Sequence, residues 1–281
     1  MSIFFSMPEL PEVEQGARLL RDAAVGRRIT AVDVLHPAYA RVLPPLDQEA
    51  LIGRTLTDVV RKGKHQLAVL DDGSTLEIHF RMTGEWLIER SVDAKPRFAR
   101  LVVHLNDGTQ VVLSDPRALG TARLHRPGAL ALPRLGPEPL SADFTVPRLQ
   151  AALAGRRAPI KPVLLDQRVV AGLGNIYAAE ALWLARIDPR AQAASLSAQR
   201  AAALVRAIRA VLRRAPALAY TDQPARASAW RVYDREGEPC RRCGSHVRRI
   251  VQGGRSTYYC PRCQTGRPEA RRRAGTGNRK S

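Results

Sequence analysis

The chain of 281 residues has no apolar run long enough to cross a bilayer, which takes about 20 consecutive apolar residues. Its opening segment, Met1–Ser6, carries no basic residue and is too short for a secretory signal peptide. These absences exclude an integral membrane protein of the helical type. We therefore expect a cytoplasmic protein without a membrane partner.

Cysteine is scarce, with four residues in the whole chain, all of them in its last sixth. Such clustering in a cytosolic protein indicates a metal site rather than a set of disulfides. The pairs Cys240/Cys243 and Cys260/Cys263 form two CxxC motifs, which can place four thiolates around one zinc ion. All four thiolates are used, which favours a closed structural zinc ribbon. A redox dithiol is disfavoured, because nothing thioredoxin-like surrounds the motifs.

Acidic residues are also few: the chain has 26 Asp and Glu and 45 Lys and Arg, which gives a net charge of +19 and a pI near 11.0. A protein this basic usually binds a polyanion, because each neutralised phosphate releases a counterion. The alternative is that arginine merely covers the surface in a composition biased toward Ala and Arg. We favour nucleic acid as the partner.

The apolar pattern changes along the chain. Helical spacing over Leu10–Ala24, ended by Gly26, predicts a first helix. Residues 29–113 alternate in short runs, and Asp72-Gly73 and Asp107-Gly108 are typical hairpin turns, so this part predicts antiparallel strands. The fold class is therefore α+β, with later Ala- and Leu-rich segments predicted as helices over 147–154, 160–166, 176–187 and 198–214.

A glycine-containing turn lies between two of these helices, within Lys161–Tyr177. We expect a short helix to end near Gln167 and Asn175 to cap the next one. Backbone N–H groups beside a helix N-terminus form a phosphate site, to which Lys161 and Asn175 could add contacts. The spacing is equally compatible with a plain packing hairpin.

Four blocks in one order resemble the bacterial formamidopyrimidine-DNA glycosylase and endonuclease VIII family, specifically its formamidopyrimidine branch. They are Met7–Glu14, Arg61–Lys64, Leu165–Glu180 and Val232–Gln264. The resemblance implies an N-terminal antiparallel β-sandwich with flanking helices (7–135), a helix–two-turn–helix DNA-binding domain (140–230) and a zinc-finger hairpin (231–266). A disordered basic tail (267–281) would follow.

The resemblance also implies a reaction, base-excision repair by a DNA glycosylase with AP lyase activity. Pro8 would attack the sugar as an N-terminal amine, and its Schiff base would lead to β,δ-elimination. The implied partner is double-stranded DNA that contains oxidised bases or abasic sites, bound by a nucleoid-associated monomer that holds one structural zinc. The implied catalytic residues are Pro8, Glu9, Lys64 and Arg255, with Glu12 as a supporting carboxylate. The implied DNA contacts are Met82, Arg117, Leu119, Lys161, Asn175 and Tyr177.

Three departures from the pattern bear on this assignment. Residues precede Met7, whereas a nucleophilic Pro8 needs a free amine, so we expect translation to start at Met7 and Met7 to be removed. Leu119 stands where the formamidopyrimidine branch usually has phenylalanine. The connection Leu218–Trp230 is short, as in endonuclease VIII.

Oxidised purines and formamidopyrimidines are the favoured lesions, on the strength of the opening motif. Two alternatives stay open. One is an endonuclease VIII-like glycosylase for oxidised pyrimidines. The other is a non-catalytic zinc-ribbon DNA-binding protein, if Pro8 is not the mature N-terminus.

Overall fold

A computed structural model describes residues 8–90, 96–215 and 229–265. The expectations for residues 1–6 and for the basic tail 267–281 lie outside this part of the chain. Most of the 218–230 connection lies outside it as well. Among the described residues, no helix is long and apolar enough to span a membrane.

The N-terminal unit is built on two four-stranded antiparallel sheets. One sheet has the order β1-β6-β7-β5 and the other β2-β3-β4-β8. The strands are β1 (Ile29–Val34), β2 (Leu56–Lys62), β3 (His65–Leu70), β4 (Thr75–His79), β5 (Glu85–Arg90), β6 (Ala99–Leu105), β7 (Thr109–Ser114) and β8 (Thr121–His125). Both predicted hairpin turns are confirmed, between β3 and β4 and between β6 and β7.

The strand prediction ended too early at residue 113, because β8 is five residues long and follows Gly120. β8 nevertheless alternates, with Ala122 and Leu124 buried and Arg123 exposed, and it pairs along the edge of β4. Two short helices, α2 (Pro37–Ala40) and α3 (Pro45–Leu51), interrupt the strand region.

The first helix, α1 (Leu10–Ala24), connects two hydrophobic cores. Val13 and Ala17 pack in the sandwich core, whereas Leu10 packs in the core of the helical domain. The Leu10 N–H also donates to the Gly172 carbonyl at 3.0 Å. The start of α1 is therefore fixed against the second domain, although its chain position assigns it to the first.

Within residues 140–215, the helical domain contains four helices and one 3₁₀ turn, whose apolar faces form a single core. They are α4 (Val146–Leu153), α5 (Ile160–Leu164), α6 (Asn175–Leu184), the 3₁₀ turn Ala193–Ser195 and α7 (Ala198–Arg214). All four predicted helices are confirmed, with ends that differ by three residues or fewer. α6 is buried on nearly every side, which explains its continuous Ala- and Leu-rich sequence.

The C-terminal hairpin consists of β9 (Arg248–Gln252) and β10 (Arg255–Tyr259). Gly253 and Gly254 form its turn with φ values of 54° and 72°, which favour glycine. Val232, Val247 and Cys240 pack against Trp183 of α6. The hairpin thus docks on the helical domain, and the α+β expectation of sandwich, helical domain and ribbon is confirmed.

Leu10→Ala tests the contact between α1 and the helical domain. Leu10 is 2% exposed, so we expect the unfolding free energy to fall by about 2–5 kcal/mol. Leu46 is 71% exposed, and Leu46→Ala should change stability by less than about 0.5 kcal/mol. Urea unfolding of both variants measures the difference. Equal effects would show that Leu10 does not carry the contact.

Candidate active site

Glu9 joins the start of α1 to the start of α6. Its carboxylate oxygens accept the N–H groups of Ile176 at 2.8 Å and Tyr177 at 3.3 Å. Its own N–H donates to the Glu12 carboxylate at 2.9 Å. Pro8 and Glu9 are both buried. The predicted nucleophile therefore lies next to a carboxylate that is held on a helix N-terminus, a favourable place for negative charge.

This contact corrects one expectation for the turn before α6 and bears on an alternative that the sequence left open. Gly174, not Asn175, is the N-cap residue, and Asn175 begins the helix. Two N–H groups at this helix start, which could have bound phosphate, are occupied by Glu9. The physical reason is that a carboxylate from α1 satisfies the same orphan donors that a phosphate would.

The two glycines of this turn are required by close packing. A Cβ on Gly174 would overlap the Glu9 carboxylate, and a Cβ on Gly172 would lie 2.7 Å from Leu10 Cδ1. Gly172 also has φ of +76°. The motif Gly172-Leu-Gly174 therefore exists to let α1 approach the turn.

Lys161, one of the predicted DNA contacts, does not face solvent in this structure. Its side chain is buried, and its Nζ donates to Asn175 Oδ1 at 2.5 Å, Ser256 O at 2.9 Å and Thr257 Oγ1 at 2.8 Å. Burial lowers the pKa of Lys161 to about 8, against the opposing charge of Glu9. All three hydrogens of the ammonium are used, so the residue fixes Asn175 to β10.

Tyr177 is likewise buried rather than exposed to a ligand. Its hydroxyl donates to Glu12 Oε1 at 2.7 Å, and its N–H donates to Glu9. Tyr177 and Glu12 therefore both contact Glu9 in the interior. The DNA contact of Tyr177 and the supporting role of Glu12 stay predictions.

Lys64 lies in the tight turn between β2 and β3. The preceding Gly63 has φ of +58°, and its N–H donates to the Glu138 carboxylate at 2.6 Å. Arg61 binds both Glu14 at 2.8 Å and Glu138 at 2.9 Å. The block Arg61–Lys64 is therefore held against α1 and the interdomain linker, with Lys64 half-buried at its end.

A cleft opens between the sandwich, the turn before α6 and the ribbon. Four predicted residues line it: Lys64, Met82, Asn175 and Arg255. The residues that sequence reasoning missed are His79, Arg81, Leu165, Gln167, Leu173 and Gly174. Three cations and two amides at one opening are suited to an anionic ligand.

His79 is the missed residue with the clearest chemistry. Its Nδ1 accepts the Arg81 N–H at 2.9 Å, so its other ring nitrogen is available as a donor. Burial, His65 and Arg81 lower the pKa of His79 to about 3, and the ring is neutral at pH 7. In the sequence, only its position three residues before Met82 could have indicated that His79 lies at the cleft.

Burial shifts the pKa values of Glu9 and Lys64 in opposite directions, and the attraction between the two groups opposes both shifts. Burial raises the pKa of Glu9 to about 7, with Lys64 opposing and Glu12 adding to the shift. Burial also lowers the pKa of Lys64, against the attraction of Glu9 and Glu12. A carboxyl that exchanges its proton near neutral pH is suited to acid–base catalysis.

Met82, Arg117 and Leu119 lie on two neighbouring turns of the sandwich. Met82 is half-buried on the cleft, Arg117 is exposed, and the Leu119 side chain is 46% exposed. An exposed apolar side chain at a turn beside a basic cleft fits the expected role of a wedge.

The four cysteine sulfurs lie within 4.8 Å of one another. Cys240 Sγ is 3.9 Å from Cys263 Sγ, and Cys243 Sγ is 3.5 Å from Cys260 Sγ. Tetrahedral zinc with bonds of about 2.3 Å requires sulfur pairs roughly 3.8 Å apart, so the set fits one structural zinc ion. The Trp183 indole N–H also donates to Cys240 Sγ at 3.4 Å.

Glu180, which sequence reasoning missed, binds the backbone segment that leads into the ribbon. It is 1% exposed on α6, and its carboxylate accepts three consecutive backbone N–H groups. These belong to Arg231, Val232 and Tyr233, at 2.8–3.0 Å. One helix therefore positions Asn175 at its start and the ribbon further along.

A β-sandwich, a helical domain and a four-cysteine ribbon around one basic cleft define a zinc-ribbon protein of the helix–two-turn–helix class. Sequence models of the formamidopyrimidine-DNA glycosylase N-terminal domain, its H2TH domain and the zinc finger found in FPG and IleRS match residues 7–122, 135–222 and 237–266. The chain belongs to the formamidopyrimidine-DNA glycosylase family.

Curated relatives named formamidopyrimidine-DNA glycosylase agree over almost their whole length. The one from Rhizorhabdus wittichii is 42% identical, covering 92% of this chain and all of the relative. The one from Chloroflexus aurantiacus is 43% identical, covering 92% and 98%.

Solved structures agree as well. MutM in complex with DNA containing carbocyclic 8-oxo-G has a TM-score of 0.85 at 31% identity, covering 92% of this chain and 99% of that one. The Thermus thermophilus MutM (Fpg) protein has a TM-score of 0.81 at 37% identity, covering 93% and 100%. Lactococcus lactis Fpg bound to DNA with an AP site has a TM-score of 0.83 at 32% identity, covering 91% and 99%.

Glu9→Gln should change how stability depends on pH. Folding raises the pKa of Glu9 from 4.5 to about 7, so the folded state binds the extra proton between these values. The stabilisation from this proton is complete below pH 4.5 and is lost as the pH rises through 7. Glu9→Gln should therefore flatten the decline between pH 4.5 and 7.5, measured by urea unfolding.

Glu14→Gln is the matched control. Burial raises the pKa of Glu14, but its ion pairs with Arg61 and Arg18 outweigh burial and lower it below 4.5. Its stabilisation is present above pH 4.5 and is lost only as the pH falls further. The decline between pH 4.5 and 7.5 should persist in Glu14→Gln, and its persistence in Glu9→Gln would contradict the assignment.

Cys260→Ser should abolish stoichiometric zinc. Removing one thiolate of four leaves an incomplete tetrahedron, and the hairpin that carries Arg255 loses its metal anchor. Metal analysis should find one zinc per wild-type chain and per His246→Ala chain, since His246 is a nearby potential ligand outside the cluster. Full zinc content in Cys260→Ser would remove Cys260 from the site.

Proposed function

We propose that this chain is a DNA repair glycosylase with AP lyase activity that acts on oxidised purines and formamidopyrimidines in double-stranded DNA, at the nucleoid. The observation that carries the proposal is the buried Glu9, next to Pro8 in the chain, whose carboxylate is bound at the N-terminus of α6. The first residue of that helix, Asn175, lines a cleft together with Lys64 and Arg255. Family membership supports it.

Pro8 supplies the nucleophile in this proposal. Its ring nitrogen, as a free secondary amine, attacks the sugar C1′, and the bond from C1′ to the damaged base breaks. Opening of the sugar ring then leaves an iminium between Pro8 and C1′, which acidifies the neighbouring C–H bonds for strand cleavage. The reaction requires a chain that begins at Pro8, because an acylated proline nitrogen has its lone pair delocalised into the carbonyl.

Glu9 is proposed as the acid that protonates the sugar ring oxygen as the ring opens. A pKa of about 7 gives a useful protonated fraction at neutral pH. The Tyr177 N–H donates to this carboxyl group at 3.3 Å, and the Glu12 carboxylate accepts the Glu9 backbone N–H at 2.9 Å.

Lys64, Asn175 and Arg255 are proposed to bind the phosphates around the lesion. They come from the sandwich, the helical domain and the ribbon, so their convergence depends on all three units. Lys161 would act through these residues, because its Nζ joins the Asn175 side chain to the Ser256 carbonyl, next to Arg255. Met82, Arg117 and Leu119 would fill the gap that the flipped nucleotide leaves.

The choice of lesion follows the relatives. Those quoted are named formamidopyrimidine-DNA glycosylase, and two solved relatives are complexes with 8-oxo-G or Fapy-dG DNA. Leu119 in place of an aromatic wedge stacks less well, which predicts weaker discrimination than an aromatic residue gives. Parallel assays on duplexes with 8-oxo-G and an oxidised pyrimidine test the endonuclease VIII-like alternative.

Borohydride trapping tests the nucleophile. Protein that begins at Pro8 should form a covalent adduct with lesion-containing DNA, because reduction converts the iminium to a stable amine. Protein that retains Met1–Met7 should bind the same DNA and give no adduct. The adduct is measured by gel shift and by mass spectrometry of the N-terminal peptide.

Two outcomes would contradict the proposal. A full yield of adduct from the extended chain would assign the chemistry to another amine, such as Lys64 or Lys62. Binding without any adduct from the chain that begins at Pro8 would support the non-catalytic DNA-binding alternative.

A further inference from the structure

Two turns of the sandwich carry the side chains proposed to fill the gap in the duplex. Residues 81–84 carry Met82, and residues 115–120 carry Arg117 and Leu119. Each turn passes through the left-handed region at a residue with a Cβ, Arg81 with φ of 53° and Ala118 with φ of 50°. Such a conformation persists only where surrounding contacts hold it.

One buried carboxylate, Asp115, contacts both turns. Its Oδ2 accepts the Gly120 N–H at 2.8 Å and the Tyr39 hydroxyl at 3.0 Å. Its Oδ1 accepts the hydroxyl of Thr83, in the other turn. Asp115 and Tyr39 are 0% exposed and Thr83 is 2% exposed, so water does not compete for these bonds.

Thr83 both donates a hydrogen bond to the second turn and accepts one from it. The Thr83 hydroxyl oxygen accepts the Arg117 N–H at 3.3 Å, while the hydroxyl hydrogen goes to Asp115. Arg100 donates to the Asp115 carbonyl at 2.7 Å and holds the base of the second turn. A Cβ on Gly120 would overlap the Tyr39 hydroxyl, so the turn ends in glycine because of this network.

We infer that Asp115 is a positioning residue that couples the two turns through Thr83, so that Met82, Arg117 and Leu119 enter the duplex as one rigid unit. Asp115 is buried and acts through its neighbours rather than by touching DNA. The inference rests on the proposed function, since it concerns how the gap-filling side chains are held.

The test is Thr83→Val, which keeps the shape of the side chain and removes the hydroxyl that joins the turns. Thr109→Val is the matched control, because Thr109 is also 2% exposed and donates to an aspartate, Asp107 at 3.0 Å, in a hairpin turn away from the cleft. Two reactions are compared in protein that begins at Pro8. They are excision from a lesion-containing duplex and cleavage of a single-stranded abasic oligonucleotide, which has no opposite strand and no gap to fill.

Thr83→Val should lower excision from the duplex on the order of tenfold, the effect expected for a lost hydrogen bond to a buried carboxylate. Its cleavage of single-stranded abasic DNA should stay within about twofold of wild type. Thr109→Val should resemble wild type in both assays. Comparable thermal unfolding of the two variants shows that the loss does not arise from general destabilisation.

Two results would overturn the coupling. One is a duplex rate of Thr83→Val equal to that of Thr109→Val. The other is an equal loss on duplex and single-stranded DNA. Failure of the proposed function is distinct, because wild-type protein would then give neither excision nor cleavage.

Discussion

The rest of the site depends on the Glu9 carboxylate at the N-terminus of α6. A buried carboxylate needs donors, and Ile176 and Tyr177 supply two backbone N–H groups where the helix dipole favours negative charge. The contact joins Glu9 to a helix that begins 166 residues later in the chain. It also requires Gly174, since any side chain there would occupy the space of the carboxylate.

Other residues of α6 bind the ribbon, so the helix that receives Glu9 also positions the C-terminal hairpin. Asn175 at its first turn binds Lys161 and the Ser256 carbonyl, which links the helix to β10 and so to Arg255. Further along, Glu180 holds the backbone that leads into the ribbon, and Trp183 packs beside Cys240. The zinc hairpin is thereby oriented by the same helix that receives Glu9, so Lys64, Asn175 and Arg255, from three units of the chain, line one cleft.

In the interior, where the dielectric constant is low, charged and polar groups influence one another's pKa values strongly. Burial raises the pKa of Glu9 to about 7 and lowers the pKa of Lys64. Three uncharged acceptors bind the hydrogens of the Lys161 ammonium. Such networks are stable only when every member is satisfied. Glu12 and Tyr177 do not line the cleft, yet they are 5% and 0% exposed because they complete this network of hydrogen bonds.

The sequence alone determined what depends on local spacing: the helix at Leu10–Ala24, the two hairpins, the helical segments and the four-cysteine cluster. Periodicity and CxxC spacing act over a few residues, so one chain suffices to recognise them. Tertiary structure decided which polar groups find each other. Nothing near Asn175 in the chain shows that Glu9 takes over the helix cap, or that Lys161 and Tyr177 are buried. Those outcomes depend on contacts between residues up to 168 positions apart, where burial and competition for hydrogen-bond donors, rather than residue type, select the partner.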